Sequence, residues 1–139
     1  MGVGMSESET DRILFAAAEA MRARAYAPYS RFSVGAAILA EDGNVYAGCN
    51  IENAAYPQGN CAETSAIAAM IAGGARRIRR IYVTGPGAVP VTPCGGCRQR
   101  IREFADPDTM IVSHGVEGAP LVQTLEHLLP HSFGPEFLG

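Results

Sequence analysis

The chain has 139 residues, 47% of them apolar and 18% charged, with a net charge of -3 at neutral pH. That composition suits one ordinary globular domain spanning 1-139, long enough to bury a core without disulfide staples. It argues against a polynucleotide binder, which needs a basic face, and no apolar run approaches the roughly 20 residues that cross a bilayer. Met1 to Asp11 is small, polar and acidic, with no apolar core of a secretory leader. A cytoplasmic protein with a flexible segment over residues 1–5 is expected.

Ser6 or Ser8 can cap a first helix running to about Arg24, with Ile13, Leu14, Ala17 and Met21 as its apolar stripe. Ala25 to Arg31 is a loop punctuated by Pro28. Phe32 to Leu39 and Asn44 to Asn50 are two strands joined at Glu41-Asp42-Gly43-Asn44, a strong hairpin signal. A loop from Ile51 to Asn60 leads into an alanine-rich helix, Cys61 to Ala72, stopped by Gly73-Gly74. Arg80 to Thr84 is a short β-branched strand. After a Gly/Pro-rich loop, a third helix spans about Gly95 to Phe104, Thr109 to Ser113 is another strand, and Leu121 to Leu128 a last short helix. Pro130 to Gly139 is irregular. The hairpin makes the first strand pair antiparallel and helical crossovers make later pairs parallel, so the expected fold is an α/β domain with a mixed sheet covered by helices. Arg76, Arg77, Arg79 and Arg80 follow the second long helix and are expected to be a solvated cluster complementing its dipole.

Four cysteines are present: Cys49, Cys61, Cys94 and Cys97. Cys49 lies in an apolar strand-like run and is expected to be a small buried residue. The other three fall in Cys61-Ala62-Glu63 and Pro93-Cys94-Gly95-Gly96-Cys97, both at loop-to-helix junctions. Three thiolates can hold a zinc ion and leave a fourth position for water, which separates a catalytic site from a closed structural one. Glu63 is then free to move protons rather than bind metal. The spacing matches the signature of zinc-dependent deaminases, in which metal-activated water attacks an amidine-like carbon. A structural site with His114 or His131 as fourth ligand leaves Glu63 idle, and a redox pair at Cys94 and Cys97 gives Cys61 no role. Three thiolates on Zn²⁺ carry a formal charge of -1, which two helix N-termini would partly offset.

Around these motifs stand Tyr29-Ser30-Arg31-Phe32-Ser33-Val34-Gly35-Ala36-Ala37, Gly48-Cys49-Asn50-Ile51-Glu52-Asn53-Ala54, Tyr56-Pro57, Cys97-Arg98-Gln99 and Leu128-Leu129-Pro130-His131-Ser132-Phe133-Gly134-Pro135-Glu136. Together they resemble the small homotetrameric cytidine deaminases from about Tyr26 to Leu138. The resemblance implies a three-layer α/β/α cytidine deaminase-like domain that deaminates cytidine and 2′-deoxycytidine to the uridines in pyrimidine salvage. It implies one zinc per chain on Cys61, Cys94 and Cys97, with Glu63 as proton shuttle. Asn50 and Glu52 would hold a ribose hydroxyl, Phe32 would pack on the pyrimidine or sugar, the Ala62 backbone would meet the base, and Ala54 the sugar region. Tyr56 and Phe133 would reach a neighbouring subunit's site, making the protein a homo-oligomer, a tetramer by resemblance. On pattern alone, Asn50 reads as a turn or capping residue and Phe32 as a core aromatic opening a strand.

Many members of that family carry Arg after the catalytic Glu, where it tempers the thiolate charge. Here the position is Thr64, and Arg98 is the nearest basic residue in sequence that could compensate. Three other functions compete: a related aminonucleoside deaminase, a polynucleotide deaminase and a non-catalytic zinc module. Asn50-x-Glu52 and the Phe133 tail favour an ordinary nucleoside over the first. Polynucleotide deaminases typically use His as first ligand and need a basic groove, so Cys61 and the negative charge point away from the second. The third predicts that loss of the Glu63 carboxylate is harmless.

Overall fold

The computed structural model describes residues 5–139, so the segment expected over residues 1–5 lies outside the described residues except for Met5. Ser6 caps the first helix, α1 (Glu7–Arg22). Its hydroxyl accepts the Glu9 N–H at 3.1 Å while the Glu9 carboxylate reaches back to the cap. Leu14 and Ala18, one turn apart, are fully buried with Phe15 and Ala17 beside them. The seam is therefore rotated from the expected stripe, and Ile13 is exposed.

The hairpin forms as β1 (Gly35–Ala40) and β2 (Val45–Cys49), with Gly43 left-handed at its turn (φ 81°). β1 begins later than Phe32 because the Asn50 side chain replaces the ladder there: its amide donates to Phe32 O at 2.8 Å and its carbonyl accepts from Val34 N at 2.9 Å. Phe32 is thus an exposed loop residue, not a core aromatic, and Cys49, at the end of β2, is only half-buried.

Next come α2 (Ala62–Ala72), β3 (Ile78–Gly85), α3 (Gly95–Phe104) and β4 (Ala105–Gly115). The segment expected as one last helix is divided into β5 (Leu121–Thr124) and α4 (Leu125–Leu128), with the Thr124 hydroxyl capping the latter. Val122 and Thr124 are β-branched, and the free edge of β4 offers them an antiparallel partner.

The sheet order is β2-β1-β3-β4-β5, and only β3–β4 is parallel. The α2 crossover carries the chain from β2 past β1, so β3 meets β1 antiparallel rather than parallel. The α3 crossover behaves as expected. Side chains alternate along the central strands. Ala36, Ile38, Ile81, Val83 and Ile111 pack with α2, α3 and α4, while Ala37, Leu39, Tyr82 and Val112 pack with α1. Three layers result, α1 on one face and the remaining helices on the other. Gly48 sets the height of α2, because a Cβ there would stand 2.5 Å from Ala66 N.

The arginine cluster is less solvated than expected. Arg80 is buried and grips Asp11 of α1 through Nε at 2.6 Å and Nη2 at 2.9 Å. Arg77 pairs with Asp106, Arg79 donates to Glu41 O, and Arg76 reaches the Ile71 carbonyl near the end of α2. Only Arg76 does what the dipole argument asked. No helix among the described residues is long and apolar enough to cross a membrane.

Candidate active site

Cys61 is the N-cap of α2 and Cys94 the N-cap of α3, and neither sulfur accepts a hydrogen bond from its helix. A cap of Ser, Thr, Asp or Asn would contribute about 1 kcal/mol at such a position, so stability is given up at both. Cys97 follows in the first turn of α3, fully buried. The three Sγ atoms lie within 4.8 Å of one another. A tetrahedral zinc with Zn–S bonds of about 2.3 Å needs sulfurs roughly 3.8 Å apart, so this donor set fits the ion with small adjustments. The unpaired N–H groups opening two helices stand beside the sulfurs, the right polarity for surplus negative charge. Among the described residues this is the one group of three or more His, Cys, Asp or Glu able to hold a metal. His114 is elsewhere, accepting or donating at Tyr82 Oη (2.7 Å) and facing the Gly118 carbonyl (2.9 Å).

Glu63 sits in the first turn of α2 and is 4% exposed. Burial pushes its carboxyl up to about 7. Among the thiols, the hydrogen bond from Cys97 draws Cys61 down to about 6 and pushes Cys97 itself up. Of that pair, Cys61 is therefore the sulfur that ionises first, and Cys97 must release its proton as metal enters.

Cys97 has two polar neighbours, Thr64, which the sequence reading singles out, and Arg100, which it misses. The Thr64 hydroxyl is 4.0 Å from Cys97 Sγ and Arg100 Nη1 is 3.9 Å from it. Arg98, the expected compensating group, turns away and donates to the carbonyls of Pro93 (2.8 Å) and Leu128 (2.9 Å). The helical period explains the correction: the residue adjacent to Cys97 points elsewhere, whereas the one three positions on shares its face.

Beside Cys61 opens a cavity of about 460 Å³ lined by Tyr29, Ser30, Asn50, Ile51, Glu52, Asn53, Tyr56, Gly59, Asn60 and Cys61. That volume is in the range of small-molecule sites. Its walls are two loops stitched together: Tyr26 N donates to Asn50 O at 3.0 Å, Glu52 N to Tyr26 O at 2.8 Å, and Ile51 and Asn60 exchange backbone bonds at 2.9 Å. Glu52 Oε1 accepts from the backbone of Tyr29 (2.9 Å) and Ser30 (3.1 Å), and its Oε2 accepts from the Ser30 hydroxyl. The Ser30 hydroxyl, followed by those backbone donors, holds the Glu52 carboxyl below the usual carboxylate range.

Asn50, Glu52, Tyr56 and the metal-site cysteine Cys61 thus share one cavity, while Cys94, Cys97 and Glu63 are not part of its lining. Ala62 is buried at the start of α2. Phe32 and Ala54 stand on the flanking loops, exposed and outside the lining. Phe133 is not brought to this cavity. It lies in the tail, 56% exposed, stacked on Phe137 at 5.3 Å and tethered through its carbonyl to Gln99 at 3.0 Å.

Residues 8–113 match the family model described as the cytidine and deoxycytidylate deaminase zinc-binding region. The chain is 43% identical to the cytidine deaminase of Sporosarcina psychrophila over 126 residues, 91% of this chain and 93% of that protein. It is 42% identical to the cytidine deaminase of Mycobacterium tuberculosis over 113 residues, 81% of this chain and 80% of that one. The crystal structure of cytidine deaminase from Burkholderia pseudomallei superposes with a TM-score of 0.84 at 41% identity, covering 93% of this chain and 100% of that one.

Proposed function

The chain belongs to the cytidine and deoxycytidylate deaminase family, and from that membership we propose that it hydrolyses cytidine and 2′-deoxycytidine to the uridines and ammonia, for pyrimidine salvage. The observation that carries the reading is the buried Glu63 carboxyl, two residues from the first of three converging thiolates.

Cys61, Cys94 and Cys97 hold one zinc per chain. When bound, zinc supplies the Lewis acidity that makes water a nucleophile near neutral pH. Glu63 takes a proton from the attacking water and gives it to pyrimidine N3; it then takes the second proton from the hydroxyl now on C4 and gives it to the amino group, so that the C4–N bond breaks, ammonia leaves and the C4 carbonyl forms. Burial raises this carboxyl above the usual range in the metal-free chain, which favours its holding a proton between the two transfers.

Two substrates that differ only at the 2′ carbon share their 3′- and 5′-hydroxyls, and we assign the 3′-hydroxyl to Asn50 and Glu52. Ionised Glu52 accepts hydrogen bonds only, and Asn50 retains one amide hydrogen after bonding Phe32 O. A sugar hydroxyl would donate to the first and accept from the second. Phe32 packs on the pyrimidine or sugar, the Ala62 backbone meets the base, and Ala54 contacts the sugar region. The cavity lining has a carboxylate and no Lys or Arg, so a 5′-phosphate finds repulsion rather than a partner, and the free nucleoside is favoured over the nucleotide.

The remaining walls come from other subunits. Tyr56 at 76% exposure and Phe133 at 56% are large aromatics left in water by one chain, and exposed apolar surface of this kind supports association. A homotetramer in which Phe133 enters a neighbouring site, and Tyr56, besides lining its own chain's cavity, reaches a neighbouring one, accounts for both. We place this assembly in the cytoplasm, each chain acting as one domain over 1-139.

The test is direct. Purified protein is given cytidine, 2′-deoxycytidine or cytidine 5′-monophosphate; ammonia and cytosine absorbance are followed and zinc per chain is quantified. Both nucleosides should be deaminated and the nucleotide much less so. A zinc-loaded sample inert to both nucleosides would sink the reading.

A further inference from the structure

We propose that Ser30 is a positioning residue that sets the Glu52 carboxylate and the Phe32 backbone as one unit against the nucleoside. The proposal rests on the reading of Glu52 as a sugar contact. The Ser30 hydroxyl donates to Glu52 Oε2 and accepts the Phe32 N–H at 3.0 Å, so a single oxygen joins the sugar side of the cavity to the aromatic beside it. Glu52 Oε1 is meanwhile fixed by two backbone donors, at 2.9 and 3.1 Å. The carboxylate is thereby held at both oxygens and has little freedom to rotate. On its other side Phe32 is held through its carbonyl by Asn50 at 2.8 Å.

Between the two anchored residues, Arg31 adopts the left-handed conformation, φ 58°. A non-glycine residue stays there only where its surroundings enforce it. The Ser30 clamp on one side and the Arg31 N–H bond to Ala27 O at 2.9 Å supply that enforcement. The bend sends the chain from the carboxylate toward Phe32 instead of onward as a strand.

Steady-state kinetics on cytidine and 3′-deoxycytidine, together with melting curves, test this in wild type, Ser30→Ala, Ser30→Thr and the double variant Ser30→Ala/Arg31→Gly. In Ser30→Ala, KM for cytidine should rise about tenfold, as expected when a charge-assisted hydrogen bond is lost, with a smaller fall in kcat. Its preference for cytidine over 3′-deoxycytidine should shrink by a similar factor. Ser30→Thr, which keeps the hydroxyl, should restore most of that preference. Arg31→Gly should recover melting temperature in the Ser30→Ala background without recovering the preference. Wild-type discrimination that persists undiminished in Ser30→Ala overturns the positioning role and leaves Glu52 as the sugar contact. If the double variant recovers discrimination along with stability, the hydroxyl is merely a loop staple. Absence of discrimination in wild type removes Glu52 as the sugar contact and this proposal with it.

Discussion

Cys97 and Glu63 lie almost entirely inside the protein at the starts of two packed helices, whereas Glu52, Tyr56 and Phe32 stand on loops, two of them well exposed. The metal half takes its geometry from helix packing: Gly48 lets α2 approach β2, and α2 and α3 share one core with the sheet. The loop half, which is proposed to hold the sugar, takes its geometry from side chains that bond backbone, Asn50 to Phe32 and Val34 and Glu52 to Tyr29 and Ser30. Glu63 and Cys97 are closed off from solvent, whereas Tyr56 and Phe32 stand open to it. The difference implies that substitutions in the first should abolish chemistry or metal binding, while those in the second should weaken affinity and depend on assembly.

The largest effect is expected at Glu63→Gln, which should lower kcat by about 10³-fold or more, the upper range for acid–base catalysis, with zinc content unchanged. The same variant separates chemistry from stability. A carboxyl raised from about 4.5 to about 7 favours folding below the lower value, and that contribution is lost as pH rises through the upper one. Metal-stripped wild type should therefore lose stability between about pH 4.5 and 7 relative to Glu63→Gln, which has no proton to lose. Parallel melting curves across that window would show that Glu63 is not held protonated by burial. Next in size, Asn50→Ala should raise KM by up to a hundredfold while zinc stays bound, because it frees both Phe32 O and Val34 N. A loss confined to kcat would place Asn50 with the metal half instead.

Arg100→Gln should weaken zinc binding about tenfold in chelator competition, at the low end for groups that support metal ligands, and Arg98→Gln should not change it. The reverse order would restore the sequence-based assignment. The smallest effect is expected from Phe133→Ala, a loss of about fivefold in kcat/KM, the scale of one aromatic contact. Mixing it with Glu63→Gln subunits should raise activity above the sum of the two alone, since each chain supplies what the other lacks. Purely additive activity in verified mixed oligomers would remove Phe133 from the neighbouring site.

The parts that were legible in the sequence are those governed by local rules. The cysteine pairs announce a metal, the capping serine and the Gly73-Gly74 stop bound their helices, and the Gly43 turn marks the hairpin. The parts that were not legible depend on partners distant in sequence. Leu121 to Thr124 becomes a strand because β4 has an open edge, and β1 meets β3 antiparallel because α2 carries the chain past it. Proximity in sequence misled at Arg98, where helical geometry selects Arg100. Asn50 shows that two readings were compatible. It organises backbone, as the bland view held, and still lines the cavity.

One helix joins the metal half to the C-terminal tail. α3 begins with two of the metal's thiolates, and further along Gln99 holds Phe133 O at 3.0 Å while Arg102 holds Ser132 Oγ and the Glu136 carboxylate, each at 3.1 Å. Over ten residues, about 15 Å, one unbroken helix separates these two sets of contacts. It is a lever with the ion at one end and the tail at the other. If Phe133 enters a neighbouring site as proposed, metal loss in one chain would be felt as a misplaced ring in the next, and the subunits would share the fate of each other's zinc.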